Sequence, residues 1–461
     1  MRFASGLPIP AAFSAVLLLA MLLPFGTLQA REAGKLPQYV IEKFGHPPAI
    51  PEGPVTPELR AAVRTAIIDS VTQQTWTEAQ SVALTEIAKS EDPRLAWIIS
   101  DLMRFTWRQY FDTELANAAA ALLQIELKSP QPWGEVTDYL IAWDIPAYPG
   151  YLADKRAVFT NILPGLEKIF VEGAVDWRHL SWGGVLIDDR PYDRTDEQCN
   201  CIPAADNPPV TSAADAAWLK DEDMVFGITV NGESRAYPRR IMEVREMVND
   251  TLGGRHLGIP YCTLCGSAQA YFTDRMPDGV ERPILRTTGL LIRSNKVMFD
   301  VNTYSVFDTF LGNAVTGPLA EKGLVLQQAA VITTDWGTWK KAHPETTVLI
   351  EELSFGRDPD FRNTRDAKGP IFPVGDVDPR LPVQEDVIGI VTASGKPVAF
   401  QRTKALLALR AGTDIAYENV QLVLDAGGIR AVDADGTALG SHGAFWFAWS
   451  QFHPDTALWG E

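Results

Sequence analysis

Cys262-Thr263-Leu264-Cys265-Gly266 sets two thiols three residues apart and follows them with a glycine. At this spacing two sulfurs can share a metal ion, close into an easily reduced disulfide, or act as a nucleophilic dithiol. Each use needs the tight turn that Gly266 permits. The flanking stretches 257–261 and 268–272 read as strands, which predicts a hairpin with the thiols at its tip. A thioredoxin-type pair would instead open a helix, and the residues after Cys265 carry no helical period.

The chain has four cysteines, the other two being Cys199 and Cys201. An even count favours disulfides in an exported protein, although a Cys-x-Cys bridge is sterically awkward and a Cys-x-x-Cys bridge is labile. A closed tetrahedral metal site needs four ligands. Cys262 and Cys265 supply two, and Cys199 with Cys201, or His256, could complete a site for zinc, iron or copper. No Cys-x-x-Cys-His occurs, which excludes covalent c-type haem.

Around the thiols, Glu246, Asn249 and Asp250 are read on one helical face or at a helix end. There they could support the site or take a proton, against the plainer reading of a turn before Gly253-Gly254. The catalytic candidates are therefore Cys262, Cys265, Glu246 and Asp250. Arg293, Ser294, Asn295, Asp300 and Thr303 form a polar run that could line a pocket with the thiols or secure loops. His442 and His453 flank an aromatic segment, 445–449, read as a strand whose density of rings indicates core packing. Serine-hydrolase, phosphate-loop and zinc-protease motifs are absent.

The elements that must position these residues fall into two textures. Over 58–172 apolar residues recur at three- and four-residue steps, as in Leu84, Ile87 and Ala88 or Leu115, Ala118, Ala119, Leu122 and Leu123. Asp92-Pro93 and Ser129-Pro130-Gln131-Pro132 break the series into helices. This predicts an all-α array of the HEAT type, offering either a concave face to another exported protein or a face packed on the rest of the chain. Beyond residue 176 short alternating runs bounded by turn residues predict strands. Residues 225–230 lead through Asn231-Gly232 into 233–238, the strongest local hairpin signal.

The design returns about 160 residues later, where 387–392 passes through Ser394-Gly395 into 396–400. We read this as an internal duplication in whose second copy the corresponding downstream stretch, 420–428, has no cysteine. The expected fold class is α+β, an N-terminal helical array followed by a mainly β domain. The expected organisation is a signal peptide (1–30), a proline-rich extended arm (31–57), the helical region (58–172), a linker (173–217) and the β domain (218–461). The β domain divides into halves at 218–350 and 386–461, with a surface loop at 355–385.

The chain has 461 residues, 46% of them hydrophobic and 21% charged, within the range of folded domains rather than disordered chains. Arg2 precedes an apolar run over 11–25, and Thr27-Leu28-Gln29-Ala30 offers a cleavage site ending at Ala30. The run is shorter than the roughly 20 residues that span a bilayer. A secretory signal is expected, with a periplasmic or secreted mature protein and no stable membrane insertion. The formal net charge of −17 argues against nucleic acid as a partner.

An ordered series of boxes runs along the β region. It begins with Gly232-Glu233-Ser234-Arg235-Ala236-Tyr237-Pro238, then Glu246-Met247-Val248-Asn249-Asp250, the Cys262/Cys265 pair, and 288–300. It continues through Thr303, Ser305, 312–318, Trp339 and His343-Pro344, and closes with 445–449 and His453-Pro454-Asp455-Thr456. In these the chain resembles the bacterial and archaeal proteins grouped as domain of unknown function 3179, whose biochemical activity is not established. The resemblance covers 202 to the C-terminus and leaves the helical region outside. The chain departs from the family pattern at Arg245, where a histidine is usual, and at Val301 and Phe307, where arginine and tryptophan are usual. Losing an imidazole beside a thiol pair removes a metal ligand or base, a place Cys199 and Cys201 could fill.

Two functions remain open from sequence. One is an exported protein whose Cys262/Cys265 site binds metal or does redox chemistry, supported by Cys199, Cys201, Arg245, Glu246 and Asp250. The other is a non-enzymatic scaffold with structural disulfides and a helical partner-binding array.

Overall fold

The helical periodicity of the N-terminal region becomes a set of short helices, among them Glu78–Lys89, Ala96–Met103, Asp112–Leu123, Pro132–Ala142 and Tyr151–Ile162. The computed structural model describes residues 36–106, 109–194, 199–351 and 369–460. The expected signal peptide with its cleavage site, the first residues of the arm and the first part of the 355–385 loop lie outside them. Among the described residues no helix is long and apolar enough to cross a membrane.

Local sequence sets the helix ends. Thr77 and Gln80 form a reciprocal capping box, and Asp92 accepts from the Arg94 amide to start the turn Pro93–Leu95. Gln38–Phe44 is helical, with Val40 fully buried, where proline richness predicts an extended arm. Pro37 caps the start of this helix and the next proline is Pro47, so residues 38–44 keep their amide donors.

The buried faces of these helices merge into one apolar cluster with Ile284, Leu290, Val297, Phe299 and Val306 of the β region. The helical region is thereby packed against the sheet that contains the long hairpin Leu285–Ile292 and Asn295–Asp300. Residues 173–217 contribute strands of their own. Leu180–Trp182 pairs with that hairpin, and Val210–Ser212 joins a second sheet.

The β region comprises five sheets arranged as a propeller-like ring. Two of them repeat one plan. In the first, Met224–Val230 and Glu233–Pro238 form the predicted hairpin, Ile332–Asp335 adds antiparallel on one side and Thr347–Leu349 parallel on the other. In the second, Asp386–Val391 and Pro397–Gln401 form the hairpin, flanked likewise by Ser441–Phe445 and Ala457–Leu458. Asn231 and Gly232 both have positive φ (49° and 85°), as a two-residue hairpin turn of this hand requires.

The repetition extends to side chains. Trp339 and Trp449 each lie over a glycine of the neighbouring strand, Gly227 and Gly389, and each donates its indole N–H to a threonine, Thr346 (3.0 Å) and Thr456 (2.8 Å). His343 and His453 pack against these rings in tilted geometry, at centroid distances of 4.1 Å in both.

One expected strand is different. Only Ser441–Phe445 is extended, and Trp446–Phe452 is a helix buried on every side. A helix without a solvent face shows no apolar period, so its sequence reads as easily as strand. His442 and His453 are buried among these rings, and burial lowers their pKa to about 3 and about 4 respectively, which keeps both neutral.

Candidate functional site

Cys262 ends the strand Arg255–Cys262 and pairs with Ser267, so Thr263 to Gly266 form the tip of a hairpin as the flanking strands predict. Gly266 has φ +62°, and a β-carbon there would meet the Phe445 ring at 3.1 Å. The Phe445 amide donates to the Cys265 carbonyl (2.8 Å). The second half-unit thus holds the thiol turn in place, and Trp446, Phe447 and Trp449 share its apolar cluster with both cysteines.

Cys262 and Cys265 are unbridged and almost fully buried, at 1% and 0% exposure. Their sulfurs converge on one acceptor, the Ser294 carbonyl, at 3.8 and 3.4 Å. That carbonyl is aimed by a tight turn in which Arg293 and Ser294 both have positive φ (44° and 72°), joining Ile292 to Asn295.

Lys296, two residues on, is buried with its ammonium donating to the Glu246 and Tyr261 carbonyls, the latter at 3.1 Å. Its Nζ lies 3.9 Å from Glu246 Oε2. Burial pulls its pKa down to about 8, against the attraction of Glu246 and the two sulfurs.

The two thiols differ. Burial opposes ionisation of both. At Cys262 the hydrogen bond from Cys265, with the backbone N–H and the ammonium of Lys296, outweighs burial and the Glu246 charge, so its pKa falls below the usual cysteine value. At Cys265 burial acts together with the neighbouring Cys262 and Glu246, and its pKa rises well above it. Cys262 is therefore the more acidic thiol of the pair and Cys265 the less acidic.

Glu246 sits at the C-terminal cap of the helix Arg239–Arg245 in left-handed conformation (φ 50°). Its Oε1 accepts from Thr263 Oγ1 (2.8 Å), which ties it to the thiol turn. Asn249 and Asp250 do not share a helical face with it, because Met247–Leu252 is a strand.

Asp250 lies opposite Leu257, five positions before Cys262 on the partner strand. Its Oδ2 accepts from Arg235 (2.6 Å) and Tyr237 (2.7 Å), and its Oδ1 from the Thr251 amide (2.7 Å), so it braces the first hairpin. Asn249 similarly secures Leu285 and Asp206. His256 stands six residues before Cys262 on the same extended strand, roughly 20 Å away at about 3.3 Å per residue. It cannot share an ion with the thiols.

Cys199 and Cys201 are disulfide-bonded to each other, with Cα atoms 5.1 Å apart, so the awkward Cys-x-Cys bridge does form. Asp188 lies close enough to group with these two sulfurs as a set of metal-type ligands. Its carboxylate already accepts from Arg190 and from the Ala204 amide, and the sulfurs are bonded to one another. Among the described residues no such set includes Cys262 or Cys265.

Arg245 is engaged by Glu351 and the Pro203 carbonyl, and burial lowers its pKa to about 10. Of the polar run, Ser294 meets the thiols through its carbonyl. Asp300 holds the Ile284 amide and Thr303, as loop bracing requires. Val301 and Phe307 are both buried in apolar clusters. Lys296 escapes sequence reasoning, and its one signal is a lone cation leading the apolar triplet Val297-Met298-Phe299.

Residues 199–442 match the sequence profile of a family described as protein of unknown function (DUF3179). No curated protein and no solved structure matches the chain. The match spans more than half of the chain, which therefore belongs to this family.

Proposed function

We propose that this member of the DUF3179 family carries a buried redox-active dithiol, with Cys262 as nucleophile and Cys265 as resolving thiol. The carrying observation is the direction of the hydrogen bonds at the sulfurs. A metal knuckle turns amide donors toward two thiolates. Here the two sulfurs share one carbonyl acceptor, which needs a proton on sulfur and so disfavours a pair of metal-bound thiolates, while the Lys296 amide donates at Cys262.

The depth of burial restricts the oxidant to a small molecule, and we assign it the class of low-molecular-weight disulfides. The Cys262 thiolate attacks one sulfur of R–S–S–R, forming a mixed disulfide and expelling RS⁻. Cys265 then attacks Cys262 Sγ, closing the Cys262–Cys265 bond and expelling the second RS⁻. The Cys265 proton passes to one leaving thiolate, and two electrons have moved from the protein to the small disulfide.

Equilibration of the purified protein with glutathione buffers of graded ratio, followed by alkylation and mass spectrometry, tests this. The peptide holding both cysteines should pass through one two-electron transition. Two thiols that stay alkylatable at every ratio, or that are shielded by a stoichiometric metal, overturn the reading.

We further propose that the protein works outside the cytoplasm. Arg2, the apolar run over 11–25 and the small residues ending at Ala30 support export. The Cys199–Cys201 bridge fits an oxidising compartment.

A further inference from the structure

The two half-units meet across a cleft of about 250 Å³ beside the thiol turn. Equivalent positions of the repeated plan face each other in it. Met224 and Asp386 open the first strand of each hairpin, Thr333 and Gly443 lie on the flanking strands, and Arg239 and Arg402 begin the helix that follows each hairpin. Duplicated architecture thus brings two guanidinium groups to one concavity whose walls are Phe226, Tyr261, Val387, Ala444 and Phe445.

The two arginines are not equally engaged. Arg239 donates its Nε to Glu243 (2.7 Å). Arg402 makes a single hydrogen bond, Nη2 to the Thr333 carbonyl (3.3 Å), and no ion pair among the described residues. Its partly buried charge is destabilised first by loss of water, favoured by Asp386 and opposed by Arg410. A desolvated cation without a close counter-charge, in a concavity with apolar walls, is the arrangement that holds the charged end of an amphipathic small molecule. Of the two cations of the cleft, Arg239 is paired with Glu243, and Arg402 has no ion pair among the described residues. That suits a monoanion better than a dianionic phosphate.

We propose that this cleft binds a small organic monocarboxylate with an apolar body, its carboxylate on Arg402 and Arg239 and its body against Phe226 and Phe445. The site is independent of the dithiol reading, since neither cysteine lines it.

Calorimetric titration with a series of monocarboxylates from acetate to phenylbutyrate tests it, with phenylacetamide as the uncharged control. Saturable binding should appear for the members with an apolar body, be absent for the amide, and weaken at least tenfold in Arg402→Gln and less in Arg239→Gln. Arg402→Lys should retain part of the affinity, and Arg240→Gln, on the exposed side of the same helix, should bind as wild type. Thermal unfolding of each variant separates lost binding from lost fold. Absence of saturable binding across the series, equal affinity of amide and acid, or undiminished affinity in a folded Arg402→Gln protein overturns the proposal.

Discussion

The Trp449 indole lies so close over Gly389 that a β-carbon at that glycine would overlap the ring. The indole is also held by the hydrogen bond to Thr456 and by the tilted ring of His453 packed against it. Gly389→Ala must therefore displace a fixed ring, and it should destabilise the protein by about 1–3 kcal/mol. Gly227→Ala, facing Trp339, should cost about the same. Denaturant unfolding of both variants checks this, and a cost at one glycine only would mean that the two half-units are not packed alike.

The asymmetry of the thiols predicts their chemistry when separated. In Cys265→Ala the remaining Cys262 keeps Lys296 and loses a hydrogen bond. In Cys262→Ala the remaining Cys265 keeps its burial and the nearby Glu246. Cys262 should then ionise at a lower pH than Cys265. Thiolate absorbance against pH in the two variants measures the gap, and the reverse order would exchange the two roles.

Much of this site is written in local pattern. The hairpin tip follows from strands on either side of the cysteines, and the repeated hairpins follow from Asn231-Gly232 and Ser394-Gly395 at matching places. What is not legible depends on distant partners. Nothing next to Lys296 marks it as buried, because its acceptors belong to Glu246 and Tyr261, fifty and thirty-five residues away. Asp250 looks like an acid beside the thiols until the strand Met247–Leu252 carries it toward Arg235 and Tyr237. The helix Trp446–Phe452 is hidden for a further reason, since full burial erases the period that would reveal it.

Asp308 offers a pH signature of the fold. Its Oδ1 accepts from the Phe310 and Leu311 amides, and burial pushes its carboxyl up to about 6. A carboxyl raised on folding contributes stability below its unfolded value near 4, and loses it as pH rises through about 6. Asp308→Asn keeps an oxygen for both amides and removes the ionisation. The variant should match wild type near pH 4 and exceed it by about 2 kcal/mol at pH 7. Urea unfolding at the two pH values gives the comparison, and parallel pH dependence of both proteins would show that Asp308 does not ionise in this window.

Lys296 links the charge of the site to its geometry, and Lys296→Met separates the two. The thioether fills similar volume but carries no charge and donates to neither carbonyl. Glu246 O retains the Tyr261 amide (2.9 Å), whereas the Tyr261 carbonyl loses the Lys296 donor. The expected cost in stability is about 1–3 kcal/mol, the usual worth of a buried hydrogen bond from a charged donor. Cys262 also loses its nearest cation while Glu246 stays in place, so its pKa should rise. At pH 7 this predicts slower oxidation by a small disulfide. At a pH above both thiol values the ionisation difference should vanish and the two rates converge. A variant that is slowed equally at every pH would indicate displaced sulfurs rather than a lost charge. Unchanged rates in a folded protein would remove Lys296 from the site.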